Sequence, residues 1–204
     1  MSERIPLTVP VVVEGKYDKA RLAQVVDALI IPTNGFSIFN DGEKRALIRR
    51  LGQGGLILLS DSDGGGRLIR SHLRGMLTGL TIWDLYTPAI PGKEPRKSAP
   101  SRAGILGVEG VPSNILYDLF ARFAAAHPEC VPDPSSRGRT NRVPVTKALL
   151  YELGLNGTAG SSEKRAAAAV KLGLPRDMTV NAFCAAADML TDGETLAALV
   201  RETE

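Results

Sequence analysis

The sequence predicts an α/β fold, a parallel sheet flanked by helices, followed by a small all-α domain. Three observations predict it. Apolar runs rich in Val, Ile and Leu alternate with amphipathic segments through the first half, the pattern of a parallel sheet with helices on its faces. Two of those runs end in acids followed by glycine: Val9–Val13 leads into Glu14-Gly15-Lys16, and Leu56–Ser60 into Asp61-Ser62-Asp63-Gly64-Gly65-Gly66. The last sixty or so residues carry helix boundaries and no strand signal.

Each element follows from its own pattern. Leu7 to Val13 is a Val-rich strand. Asp18 to Leu29 places Leu22, Val25, Val26 and Leu29 at helical spacing, with Asp18 as its N-cap. A short apolar run to Pro32 precedes the turn Thr33-Asn34-Gly35. Asp41 to Leu51 is amphipathic and breaks at Gly52. Leu56 to Ser60 is a strand, Gly64–Gly66 a sharp turn, Arg67 to Leu77 a helix, and Leu80 to Tyr86 a further strand. Pro88 to Gly104 is a basic loop, and Asn114 to Ala126 a helix. The Pro-rich, basic stretch 128–144 divides a first domain, 1–127, from a helical one, 145–204. In the latter, Thr146–Leu153 stops at Gly154, Ser162 caps a helix ending at Gly173, Thr179 opens Val180–Leu190, and Thr191-Asp192-Gly193-Glu194 forms a capping box.

Bulk properties narrow the function. A net charge of +3 is compatible with a polyanionic partner without demanding one. Aromatics make up 5%, too few for an extensive base-stacking platform. Cys130 and Cys184 lack metal-ligand spacing, which argues against zinc and fits a reducing compartment. With no apolar leader and no run of about 18 apolar residues, a cytoplasmic protein without a membrane partner is expected.

Ligands of open parallel sheets bind beyond the carboxyl ends of the strands, where Glu14, Asp61 and Asp63 all fall. Hard carboxylate oxygens there select Mg²⁺, whose shell is completed by water and substrate phosphate. Glu14 could bind the metal directly or act as general acid/base. Arg67 and Arg70, on the next helix, could hold phosphate oxygens. Basic residues also gather in the loop holding Lys97 and Arg102, in the linker with Arg137, Arg139 and Arg142, and at Lys164-Arg165.

These elements resemble the toprim domain of topoisomerases, primases and certain nucleases, and more specifically the ribonuclease M-five family. The resemblance rests on Val13-Glu14-Gly15-Lys16 with Asp18, on Thr33-Asn34-Gly35, on Leu59 to Asp63 with Gly66, Ile69 and Arg70, and on Gly107-Val108-Glu109. It continues through Glu152-Leu153-Gly154-Leu155, Gly157, Lys164-Arg165, Leu172-Gly173 and Asn181-Ala182. The chain departs from that family at Tyr17, Ser62, Gly64, Gly65 and Gly110.

The resemblance implies a Rossmann-like toprim domain joined to a helical RNA-positioning domain. It implies a Mg²⁺-dependent endoribonuclease, with Mn²⁺ as a substitute, acting on double-helical precursor 5S rRNA. A ribosomal protein that binds 5S rRNA would assist. Glu14, Asp61 and Asp63 would be the catalytic and metal-binding acids, Glu109 an accessory carboxylate, and Lys16 and Asn34 further RNA contacts. Two other classes stay open: another toprim enzyme, whether DNA nuclease or primase-like, and a non-catalytic protein that binds structured RNA.

Overall fold

A computed structural model describes residues 3–61, 64–94, 98, 103–133 and 142–202. The chain forms two compact units, Met1–Pro132 and Asp133–Glu204.

The first unit is α/β, with parallel sheets and helices packed against them. Its strands are β1 (Ile5–Pro6), β2 (Val11–Val13), β3 (Val26–Asp27), β4 (Ile30–Pro32), β5 (Leu56–Ser60) and β6 (Ile82–Tyr86). Four of them form a sheet in the order β4-β2-β5-β6, and β1 pairs separately with β3. Every pairing is parallel. All residues of β2 and β5 are buried, as their uninterrupted Val, Ile and Leu require of strands covered on both faces.

The helices are α1 (Lys16–Leu22), α2 (Gly42–Leu51), α3 (Gly64–Met76) and α4 (Ser113–Ala126). Asp41 caps α2, accepting from the Lys44 N–H at 2.8 Å. Leu116, Phe120 and Phe123 of α4 join Val11, Val13, Ile57 and Leu59 in one core. Cys130 is buried there too, and its carbonyl accepts from the Thr8 N–H at 2.9 Å.

Three local readings are corrected. The helix expected over 18–29 ends at Leu22, because Val25 and Val26 lead into the short strand β3, whose partner β1 outcompetes another helical turn. Asp18 lies inside α1, where its Oδ2 accepts from the Gly15 N–H at 2.8 Å; Gly15 holds the cap position. The three glycines after Asp63 belong to α3 itself, which begins at Gly64.

The second unit contains α5 (Lys147–Glu152), α6 (Ser161–Lys171), α7 (Val180–Leu190) and α8 (Gly193–Arg201), with no strand among its described residues. Thr146 and Thr179 cap α5 and α7 through their side chains. The cap of α6 is Gly160 rather than Ser162, and that of α8 is Asp192, which accepts from the Thr195 N–H at 2.8 Å. Leu150, Phe183, Ala186, Ala187 and Leu196 are buried. Among the described residues, no helix is long and apolar enough to cross a membrane.

Candidate active site

The strand order places a crevice between β2 and β5. From β2 the chain crosses to β4 on one side, whereas β5 lies on the other. Order reversal of this kind opens the sheet's carboxyl edge at that point. Glu14 follows β2 and Asp61 follows β5, and the two meet there: the Asp61 N–H donates to Glu14 Oε1 at 3.2 Å. Gly66, in the first turn of α3, lies over this junction. A Cβ at Gly66 would stand 2.6 Å from Glu14 Oε1 and collide with the Asp61 carbonyl oxygen. Gly66→Ala is therefore expected to push α3 off the strand tips, lowering stability by about 1–3 kcal/mol in urea unfolding.

The Thr33-Asn34-Gly35 turn holds the backbone of Glu14. The Thr33 N–H donates to the Val13 carbonyl at 2.8 Å; the Glu14 carbonyl accepts from Thr33 Oγ1 at 3.1 Å and from the Gly35 N–H at 2.9 Å. Asn34 takes a left-handed conformation, φ 60°, with its side chain exposed. This turn positions a strand-end acid from the neighbouring strand.

A third segment, Gly107–Glu109, closes over the crevice. The Val108 N–H donates to Asp61 Oδ1 at 2.7 Å, and the adjacent Gly107 N–H to Glu94 Oε1 at 2.8 Å. A side chain at Gly107 would crowd both acids, its Cβ lying 2.5 Å from Asp61 Oδ2 and 3.0 Å from Glu94 Oε1. Arg21 of α1 fastens the segment, donating through Nε and Nη2 to the Val111 carbonyl at 3.0 and 2.9 Å.

These segments enclose an open cleft of about 440 Å³. Among the described residues its walls carry five carboxylates, Glu14, Asp18, Asp61, Glu94 and Glu109, and one ammonium, Lys16, together with Tyr17, Asn34 and the backbone of Gly15, Gly35 and Gly107. The charge imbalance registers at Asp18. Burial, then repulsion from Asp61 and Glu109, raise its pKa from 3.8 to about 6, although the amides of Gly15 and Glu109 favour the ionised form. A cation bound in such a cleft would offset this charge. Among the described residues, no three carboxylate, imidazole or thiolate groups converge closely enough to enclose an ion by themselves. Glu14 and Asp61 fit Mg²⁺, which takes one or two carboxylates and keeps several waters for exchange with phosphate oxygens.

The remaining expected residues fall in different settings. Lys16 opens α1, exposed, its ammonium 5.0 Å over the Tyr17 ring. Arg67 and Lys164 are exposed. Arg70 is buried: its Nε lies 3.5 Å from Asp84 Oδ1, its guanidinium donates to the Ser60 hydroxyl, and it stacks 3.5 Å over the Tyr86 ring. It thus braces the residue before Asp61. In the second unit, Arg142 donates to the carbonyls of Asp188 and Thr191 at the end of α7, and Arg165 to those of Leu155 and Met178. Asp63, Lys97, Arg102, Arg137 and Arg139 lie outside the described residues.

Glu94 had no local signal in the sequence, yet it is fully buried in the cleft wall. Glu94→Ala removes the acceptor of the Gly107 N–H and is expected to cost about 1–3 kcal/mol in urea unfolding. Glu94→Gln keeps a carbonyl oxygen there and should retain more of that stability. No protein-family model matches the chain, and comparison with curated proteins yields no match.

Proposed function

We propose that this protein is a Mg²⁺-dependent endoribonuclease of toprim type that trims double-helical precursor 5S rRNA. The observation that carries the reading is the meeting of Glu14 and Asp61 at the order reversal of a parallel sheet, one acid's backbone amide bonded to the other's carboxylate. The ordered resemblance of the motifs supplies the substrate.

In this reading Glu14, Asp61 and Asp63 hold Mg²⁺, or Mn²⁺ in its place, and Glu109 is an accessory carboxylate. The bound cation would polarise the scissile phosphate and water and offset the charge that develops on phosphate oxygens. Glu14 either shares in holding the cation or moves the proton of the attacking or leaving oxygen. Val108, through its amide, keeps the Asp61 carboxylate aimed into the cleft. Lys16 and Asn34 at the mouth, and Arg67 on α3, contact the sugar–phosphate backbone. A-form RNA hides its bases in a narrow major groove, so recognition relies on phosphates, 2′-hydroxyls and shape. The helical unit, through Lys164, helps to position the RNA, and a 5S-binding ribosomal protein presents it.

The test is incubation with precursor 5S rRNA in Mg²⁺, with and without that ribosomal protein, beside an Asp61→Ala control. Discrete end-trimming lost in the control supports the maturase. Cutting or extension of DNA in preference to RNA would move the protein to another toprim activity. Tight RNA binding with no cleavage in Mg²⁺ or Mn²⁺ would make it a non-catalytic RNA binder.

A further inference from the structure

Aromatic residues are scarce in this chain, and within the described residues of the first unit the exposed ones gather at one end of the sheet; Tyr151 is exposed in the second unit. Four large apolar side chains are exposed among the described residues of the first unit: Tyr17, Phe36, Leu68 and Tyr86. All four lie at the carboxyl end of the sheet. Tyr17 is in the first turn after β2, Phe36 follows β4, Leu68 is in the second turn of α3, and Tyr86 ends β6. The Tyr86 ring is covered on one face by Arg70, whereas Tyr17 and Phe36 are exposed beside the acid-lined cleft.

Two of them adjoin the cleft directly. Tyr17 lines it and is 43% exposed. Phe36 follows Gly35, another lining residue, and is 53% exposed. Phe36 is also braced from behind. Its ring meets Phe39 edge-on with centroids 5.5 Å apart, and Phe39 rests on His72 of α3 at 3.9 Å. Held rings of this kind lose little freedom on binding. The polar Lys16, Asn34 and Arg67 are interleaved with them, so the rim is not a continuous apolar face of the sort that protein partners bury. Alternating rings and cations suit a strand that alternates bases and phosphates.

We propose that Phe36 and Tyr17 are base-stacking positions, and that the site takes an RNA duplex interrupted by unpaired nucleotides next to the bond that is cut. The proposal rests on the nuclease reading above and narrows its substrate. In a continuous helix each base face is covered by its neighbours; only a bulge, junction or frayed end offers a face to an aromatic ring.

Binding and cleavage are measured separately on two RNAs of one sequence, a continuous duplex and the same duplex with one unpaired 2-aminopurine. Binding is followed without Mg²⁺ by anisotropy and by the 2-aminopurine fluorescence, cleavage with Mg²⁺. Wild type is expected to bind the interrupted RNA about tenfold more tightly and to quench the probe. Phe36→Ala and Phe36→Leu lose both effects, whereas Phe36→Trp retains them. Equal binding of the two RNAs by wild type, or a preference that survives Phe36→Ala and Tyr17→Ala, overturns the proposal. So does self-association in sedimentation that Phe36→Ala abolishes, which would assign the rings to a second copy of the chain. Preferential binding with no cleavage in either metal sinks the nuclease reading alone; cleavage without preference sinks the stacking proposal alone.

Discussion

Asp61→Asn is expected to abolish cleavage while leaving the protein folded. Asparagine keeps an oxygen to accept the Val108 N–H, now bonded to Asp61 Oδ1 at 2.7 Å, and the residue's own amide still donates to Glu14. What disappears is one of the two described strand-end charges at the crevice. Losing a preorganised group that meets transition-state charge costs on the order of 10²–10³ in kcat, and loss of an anionic cation donor belongs at the upper end. RNA affinity measured without Mg²⁺ should hold or tighten, since a negative charge facing phosphates has gone. Retained cleavage with normal Mg²⁺ dependence would remove Asp61 from the chemistry.

The second large effect concerns Asp18 and pH. In the folded protein its pKa is raised from 3.8 to about 6, chiefly by burial and then by Asp61 and Glu109. Between those values the folded state holds a proton that the unfolded chain has released. Stability therefore falls as pH rises from about 4 to about 6 and is level above that. At about 1.4 kcal/mol per pH unit, the penalty at pH 7 is about 3 kcal/mol. Asp18→Asn, which can still accept from the Gly15 N–H, should be more stable than wild type at pH 7 by up to that amount. The gap between them should close towards pH 4. Urea unfolding of both proteins in EDTA across this range measures it. Mg²⁺ should raise wild-type stability more than that of the variant, because a cation that binds only the folded state offsets the same buried charge. An unchanged pH profile in Asp18→Asn would place the titration elsewhere.

The alternation of elements was legible because the central strands β2 and β5 are nearly pure Val, Ile and Leu and most helices start or stop at residues with a mechanical role. Thr179 opens α7 as its sequence suggests, capping it through its side chain, and Gly154 and Gly173 follow α5 and α6 in the left-handed region at φ 68° and 69°. Val25 and Val26 misled because a two-residue strand has no period of its own; only pairing with Ile5 and Pro6 defines it. Gly64–Gly66 read as a turn because glycine is a poor helix former, yet they start α3, and of them Gly66 lies where a Cβ would collide with the strand tips, whereas one at Gly64 would meet open space.

At the site, acids at strand tips could be read locally. Glu94 could not, since its place depends on an amide thirteen residues further along. Arg70 looked like a phosphate ligand on its helix. The acid at Asp84, in the middle of an otherwise apolar strand, was the available sign that a buried cation would face it.

The bonds that aim the acids join distant parts of the chain. Glu14 is tied to Asp61, and Asp61 to Val108, each across 47 residues, and Arg21 to Val111 across 90. Contacts this remote form late, after the loops between them have closed. A nascent or truncated chain that stops short of Val108 has the acids but lacks the amide that holds Asp61 Oδ1, so on the nuclease reading proposed above it would cleave RNA poorly. On that reading, the activity would depend on completion of the first unit. The Asp61 and Val108 amides should accordingly exchange with deuterium only through the largest openings of that unit.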